Sequence, residues 1–219
     1  MNKSYLCLLA SLFVGCLLQP STNAQDIPGL SVGGFAERRI DNKINGDELS
    51  FNYYGVRLKA RDERFLEGFV DLGLQPMDLG SFDTDEAGCF GLGGTFWLLR
   101  AEDVVIPLDI GIYGSYHISD YTLKDTTGHE TDARYGRYMA QAVIRAEGYG
   151  SIRPYLRAGV LGSKLDPDED NIISSEDLDQ TKPAVNVGFE ISLGEKAVIS
   201  VECNYSQSVG GALHLDYWF

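Results

Sequence analysis

Ser50-Phe51-Asn52-Tyr53-Tyr54-Gly55-Val56-Arg57-Leu58-Lys59-Ala60-Arg61 alternates with a period of two. Tyr54, Val56, Leu58 and Ala60 fall on one side. Tyr53, Gly55, Arg57, Lys59 and Arg61 fall on the other. Successive side chains of an extended strand point to opposite faces, so the stretch reads as a β-strand with one apolar and one polar side.

The pattern repeats. Leu66, Gly68, Val70, Leu72 and Leu74 oppose Glu67, Phe69, Asp71 and Gly73. Phe90, Leu92, Gly94, Phe96 and Leu98 oppose Cys89, Gly91, Gly93, Thr95 and Trp97. Ten such runs are predicted, at about 30–40, 50–61, 64–75, 88–100, 104–117, 135–147, 152–164, 183–193, 197–207 and 211–219. No window carries a helical period. The expected fold is all-β, an antiparallel up-and-down meander of ten strands, or eight if an edge run is misread.

Composition narrows the function classes. The 219 residues suit one large domain, and 44% hydrophobic residues exclude a disordered tail. Acids outnumber bases 32 to 18, for a net charge of −14. That balance argues against nucleic-acid binding, which needs cations for the phosphates. Of four cysteines, Cys7 and Cys16 lie in the first 16 residues, leaving Cys89 and Cys203. Two cysteines do not make a disulfide scaffold.

The first 24 residues read as a signal peptide. Lys3 is followed by the apolar Tyr5–Leu18 stretch, too short for a ~20-residue spanning helix. Pro20, Ser21 and Thr22 break it, and Thr22-Asn23-Ala24 offers a cleavage site before Gln25. The rival is lipoprotein processing before Cys16. The domain expected after cleavage is 25–219.

Alternation does not say which face is inside. A soluble lipocalin-like barrel buries its apolar face around an apolar ligand, whereas a membrane barrel turns that face to lipid. Three marks favour the membrane reading. Connections alternate between tight (Asp62-Glu63, Glu102-Asp103, Gly148-Tyr149-Gly150, Gly194-Glu195) and long (about 41–48, 76–87, 118–134, 165–181), and only the last hairpin, near Ser208-Val209-Gly210, breaks the rule by being short. Short inner turns and longer outer loops characterise outer-membrane barrels. The four long segments hold 18 acids and only Lys43, Lys124 and Arg134 as bases, so they carry the whole charge excess. Finally, Leu213, Leu215, Tyr217 and Phe219 share one face of the last run.

With that last run the chain resembles bacterial outer-membrane β-barrel proteins, the small porin-like and OmpA-like barrels, whose final strand carries alternating apolar residues and a C-terminal aromatic. The resemblance implies a transmembrane β-barrel in the cell outer membrane of a Gram-negative-type envelope. Its implied partners are outer-membrane lipid and the barrel assembly machinery, with Leu213, Leu215, Tyr217 and Phe219 as the assembly signal. The implied roles include anchor, surface-interaction protein, narrow pore and, in a few such barrels, lipid-modifying enzyme; a non-catalytic role without a cofactor is expected, with a lipid-acting hydrolase as an alternative.

Ten strands enclose a narrow bore that side chains can fill. Arg57, Lys59, Glu67, Asp71, Arg145, Arg157, Glu190 and Glu202 are expected to form a charge network there, beside Phe69, Trp97, Tyr113, Tyr155, His214 and Trp218. Arg57 and Lys59 lie one hairpin from Glu67 and Asp71 in matching parity.

Candidate chemistry is sparse. Residues 166–177 resemble an EF-hand-type calcium loop, with Asp166, Asp168 and Asp170 at alternate positions, Ile172 offering a carbonyl, Ser174 a water-linked position and Asp177 the final carboxylate. Asp177 is shorter than the usual Glu, and the flanks read as strand. The acidic segments also suit divalent cations in general. His117-Ile118-Ser119 places His and Ser on one strand face, as in lipid A deacylase barrels, but Asp120 follows where that family has Asn. Omptin-type proteases share ten strands, yet no matching acid and His pairs occur. His129 with Glu130 and Asp132 is a weak metal motif. Trp97, Tyr149, Tyr217, Trp218 and Phe219, and at the other end Phe90, Tyr116, Tyr138 and Tyr205, suggest two aromatic belts. Cys89 and Cys203 have opposite parity, against a disulfide.

Overall fold

A computed structural model describes residues 29–44, 47–62, 65–79, 83–85, 87–103, 107–124, 127–147, 150–168, 179–206 and 209–219. The expected signal peptide lies outside them. The alternating runs become β1 (Gly29–Ile44), β2 (Asp47–Arg61), β3 (Leu66–Gln75), β4 (Met77–Leu79), β5 (Asp83–Thr84), β6 (Ala87–Leu99), β7 (Leu108–Lys124), β8 (Glu130–Ala146), β9 (Ile152–Pro167), β10 (Asp179–Leu193), β11 (Ala197–Tyr205) and β12 (Val209–Trp218).

All pairings are antiparallel, and β1 closes the barrel on β12, from Ser31 opposite Trp218 to Arg38 opposite Gly211. Pro76 interrupts one strand because it has no N–H for a ladder. Its carbonyl still accepts from Asn52 N at 3.1 Å, and β4 continues along β2 beyond it. Similarly, β5 pairs with β7 above the β6 pairing. The barrel therefore has ten strands, with β4 and β5 as short continuations of β3 and β6.

The tight turns lie at one end, with Gly29 and Phe219. Asp62 Oδ1 accepts from Phe65 N and Leu66 N at 2.6 and 2.8 Å, closing the β2–β3 turn. Gly194 takes φ 71° in the β10–β11 turn, where a side chain would be strained.

The apolar face is outside. Leu72 is 57% exposed while its neighbour Asp71 is 0% exposed. Charges and rings fill the interior, the reverse of a lipocalin-like core.

The expected long loops require correction. Much of 41–48, 76–87, 118–134 and 165–181 is strand: β7 runs to Lys124, β8 starts at Glu130, and β10 starts at Asp179. The cause lies in which face is apolar. Up to Ile118 the outward residues of β7 are apolar (Ile110, Ile112, Tyr116, Ile118); beyond it they are Asp120, Thr122 and Lys124. The inward residues change the opposite way, from Asp109, Ser115 and His117 to Tyr121 and Leu123. The alternation continues, but its apolar phase reverses.

The nine residues Ile110–Ile118 cover about 30 Å at ~3.4 Å each, or roughly 23 Å of height at the usual barrel tilt. That is close to the ~25 Å apolar band of outer-membrane barrels. Beyond the band the strands form a raised crown.

Candidate functional site

The bore is the site the fold builds, and it is filled in layers. Nearest the tight turns, Arg145 Nη2 donates to Asp109 Oδ2 at 2.7 Å, and its Nη1 lies 3.5 Å from Glu190 Oε2. Arg153 reaches Glu190 at 3.2 Å, and Arg61 reaches Glu67 at 2.9 Å. Asp109 also accepts from Ala101 N at 2.9 Å, which ties the β6–β7 turn to this layer. Two indoles floor it. Arg145 stacks over Trp97 at 4.3 Å and Arg61 over Trp218 at 4.7 Å. Both tryptophans are at most 3% exposed, so they belong to the bore and not to the expected aromatic belt. Tyr217 and Phe219, and Phe90, Tyr116, Tyr138 and Tyr205 at the crown side, do face outward; Tyr149 lies outside the described residues.

The middle layer centres on Asp71. Arg57 donates to both its oxygens at 2.6 Å, and His117 Nε2 lies 3.1 Å from Oδ2. Lys59 pairs with Asp216 at 2.6 Å, and Arg157 pairs with Glu202. Glu202 also accepts from Tyr155 and Asn186 at 2.9 and 2.6 Å. Arg57 covers the Phe69 ring at 3.9 Å and Arg157 the Tyr113 ring at 4.2 Å. Glycines on β6 make this possible: the His117 imidazole lies across Gly91 and the Phe69 ring across Gly93.

All eight residues of the expected charge network thus lie in the bore; six pair among themselves, while Lys59 and Glu67 find their partners, Asp216 and Arg61, outside the set. The His117–Asp71 contact and the Arg39–Glu37–Arg137 cluster were missed. Matching parity selects a face but not a height along it, and height needs the strand register.

The crown closes the far end. Leu49, Phe51, Met77, Ala87, Tyr121, Leu123, Ala133, Tyr135 and Leu165 form one buried apolar cluster inside it. Tyr121 donates its hydroxyl to Gln75 O at 2.6 Å, joining the cluster to the layer below. Outside, Asp120–Arg134, Thr122–Asp132 and Lys124–Glu130 pair across β7 and β8 at 2.7, 3.0 and 2.9 Å. The Asp120 hydrogen bond raises the Arg134 guanidinium further above its ordinary pKa. The signal for this crown was present in the opposite alternation of Asp120–Lys124 and Glu130–Tyr135.

Of the expected calcium residues, Asp166 is exposed on β9 with Lys164 Nζ at 3.3 Å. Asp168 N donates to Asp132 O at 2.8 Å, beside Glu130 in a shallow acidic hollow. Asp170, Ile172, Ser174 and Asp177 lie outside the described residues. Among the described residues, no three His, Cys, Asp or Glu side chains are grouped to hold a metal. Ser119 donates to Gln75 Oε1 at 2.8 Å and is buried with His117 in the bore. Cys89 faces in, Cys203 faces out, and both are free.

No protein-family model and no curated protein sequence matches the chain. Among solved structures it is similar to the translocator domain of the autotransporter NalP from Neisseria meningitidis, at 12% identity and a TM-score of 0.52, over 99% of this chain and 95% of that one. It is also similar to the transport unit of the autotransporter AIDA-I from Escherichia coli (12%, 0.47, 93% and 94%) and the outer membrane protein OprG from Pseudomonas aeruginosa (14%, 0.42, 90% and 92%). The first likeness carries the fold alone, a closed antiparallel barrel.

Proposed function

We propose that the protein is a non-catalytic outer-membrane barrel with a sealed bore, anchoring a crown of strands at the outer surface. It is delivered through its N-terminal signal and inserted with the barrel assembly machinery. The observation that carries this reading is the reversal of the apolar face at Ile118–Ser119. An outward apolar face favours lipid, and an inward one above it favours water outside and a dry plug within.

Two further features support it. Each charged side chain named in these layers has a partner of opposite charge, and a chain of ion pairs held by rings is a poor path for ions. His117 and Ser119 are occupied by Asp71 and Gln75, away from lipid, which argues against acyl transfer. The acidic crown is the surface for divalent cations or for partners.

Folded full-length protein in planar bilayers tests the seal. No steady channel is expected. Stable unitary currents from the same preparation would replace the anchor with a narrow pore. The membrane reading is tested separately: folded and boiled samples should differ in gel mobility, whereas a monomer soluble without detergent would refute it.

A further inference from the structure

Below the Phe69–Tyr113 ring pair the bore keeps a cavity of about 80 Å³. Arg57, Lys59, Arg145 and Arg157 face it, against only Glu67 and Glu190 as carboxylates. Asp71, Asp216 and Glu202, which hold Arg57, Lys59 and Arg157, stand outside the cavity lining. Each of these pairs is a dipole with its cationic end on the cavity.

The neutral groups point the same way. Arg57 Nη1 lies 3.2 Å from His214 Nδ1. A guanidinium only donates, so Nδ1 accepts and a neutral ring carries its proton on Nε2, as a donor. Ser200 and Thr95 add hydroxyls to the lining.

We propose that this cavity binds one small tetrahedral oxyanion of the phosphate or sulfate class. The space has room for several waters or for one such ion. The charged wall excludes an apolar ligand. The inference goes beyond the sealed bore and does not need it, since an open bore would keep the same wall.

The test uses the full chain folded in uncharged detergent and titrated with inorganic phosphate at constant ionic strength, by calorimetry and phosphorus NMR line width. Saturable one-site binding is expected, with sulfate competing and equimolar chloride not. Arg157→Gln with Glu202→Gln removes the cation and its buried partner together, and binding should weaken at least tenfold. Lys59→Met with Asp216→Asn should do the same if the first pair fails to fold, as judged by gel mobility. Glycerol phosphate distinguishes a free ion from a lipid phosphomonoester, because it should not compete. Absence of saturation in the unaltered chain, unchanged affinity in a folded double variant, or equal binding of glycerol phosphate would each overturn the proposal.

Discussion

Arg57 and Asp71 face each other across the β2–β3 register and share two hydrogen bonds of 2.6 Å, with Asp71 wholly buried. Removing one member of such a pair leaves a buried charge alone. Asp71→Asn should therefore cost about 3–5 kcal/mol, while adding Arg57→Met should recover at least half of it. Denaturant unfolding in detergent measures both.

The crown cluster makes a different demand. Phe51 and Leu123 are 1% and 0% exposed, and both belong to that apolar cluster. Each truncation to Ala should cost about 2–5 kcal/mol, and the pair should depart from additivity because both sit in one cluster. Thermal loss of the folded gel band reads this.

Leu92 and Thr122 both point outward, Leu92 within the apolar band and Thr122 above it. Leu92→Arg should destabilise by about 2–4 kcal/mol, as for a lipid-facing cation near mid-membrane. Thr122→Arg should stay within about 0.5 kcal/mol. Equal effects at the two sites, measured in lipid vesicles, would contradict the height assigned to the band.

Phe219 is 71% exposed, and its N–H donates to Leu30 O at 3.0 Å whatever its side chain. Phe219→Ser should leave refolding in detergent intact but reduce the amount reaching the outer membrane of cells several-fold. Cell fractionation and the boiling shift separate delivery from stability.

Calcium provides a fifth test. If residues 166–177 form the expected loop, calorimetry on the full chain should show one calcium site, weaker than an EF-hand because Asp177 is short. Asp168→Asn should abolish it. Heat unchanged by that substitution would assign the binding to the acidic crown at large.

Much of this molecule was legible as period two. Tyr54 to Ala60, Leu66 to Leu74 and Leu213 to Phe219 specify strands and their apolar side without any contact being known, because a strand's parity is local. The same logic placed Arg57, Asp71, Trp97 and Trp218 inward. It failed over 118–134, where acidic outward residues resembled loops because one apolar phase was assumed for the whole strand.

The sequence by itself determined the all-β class, the ten runs, the inward face and the sorting of charge toward one end. These follow from the alternation of side chains along an extended chain. Only the tertiary structure decided which charge meets which, that His117 reaches Asp71 and Lys59 reaches Asp216, and that Leu49, Tyr121 and Leu165 converge into a plug. Those contacts join strands whose relative heights are set by register and closure of the barrel, and residues as far apart as Lys59 and Asp216 meet only when β1 pairs with β12.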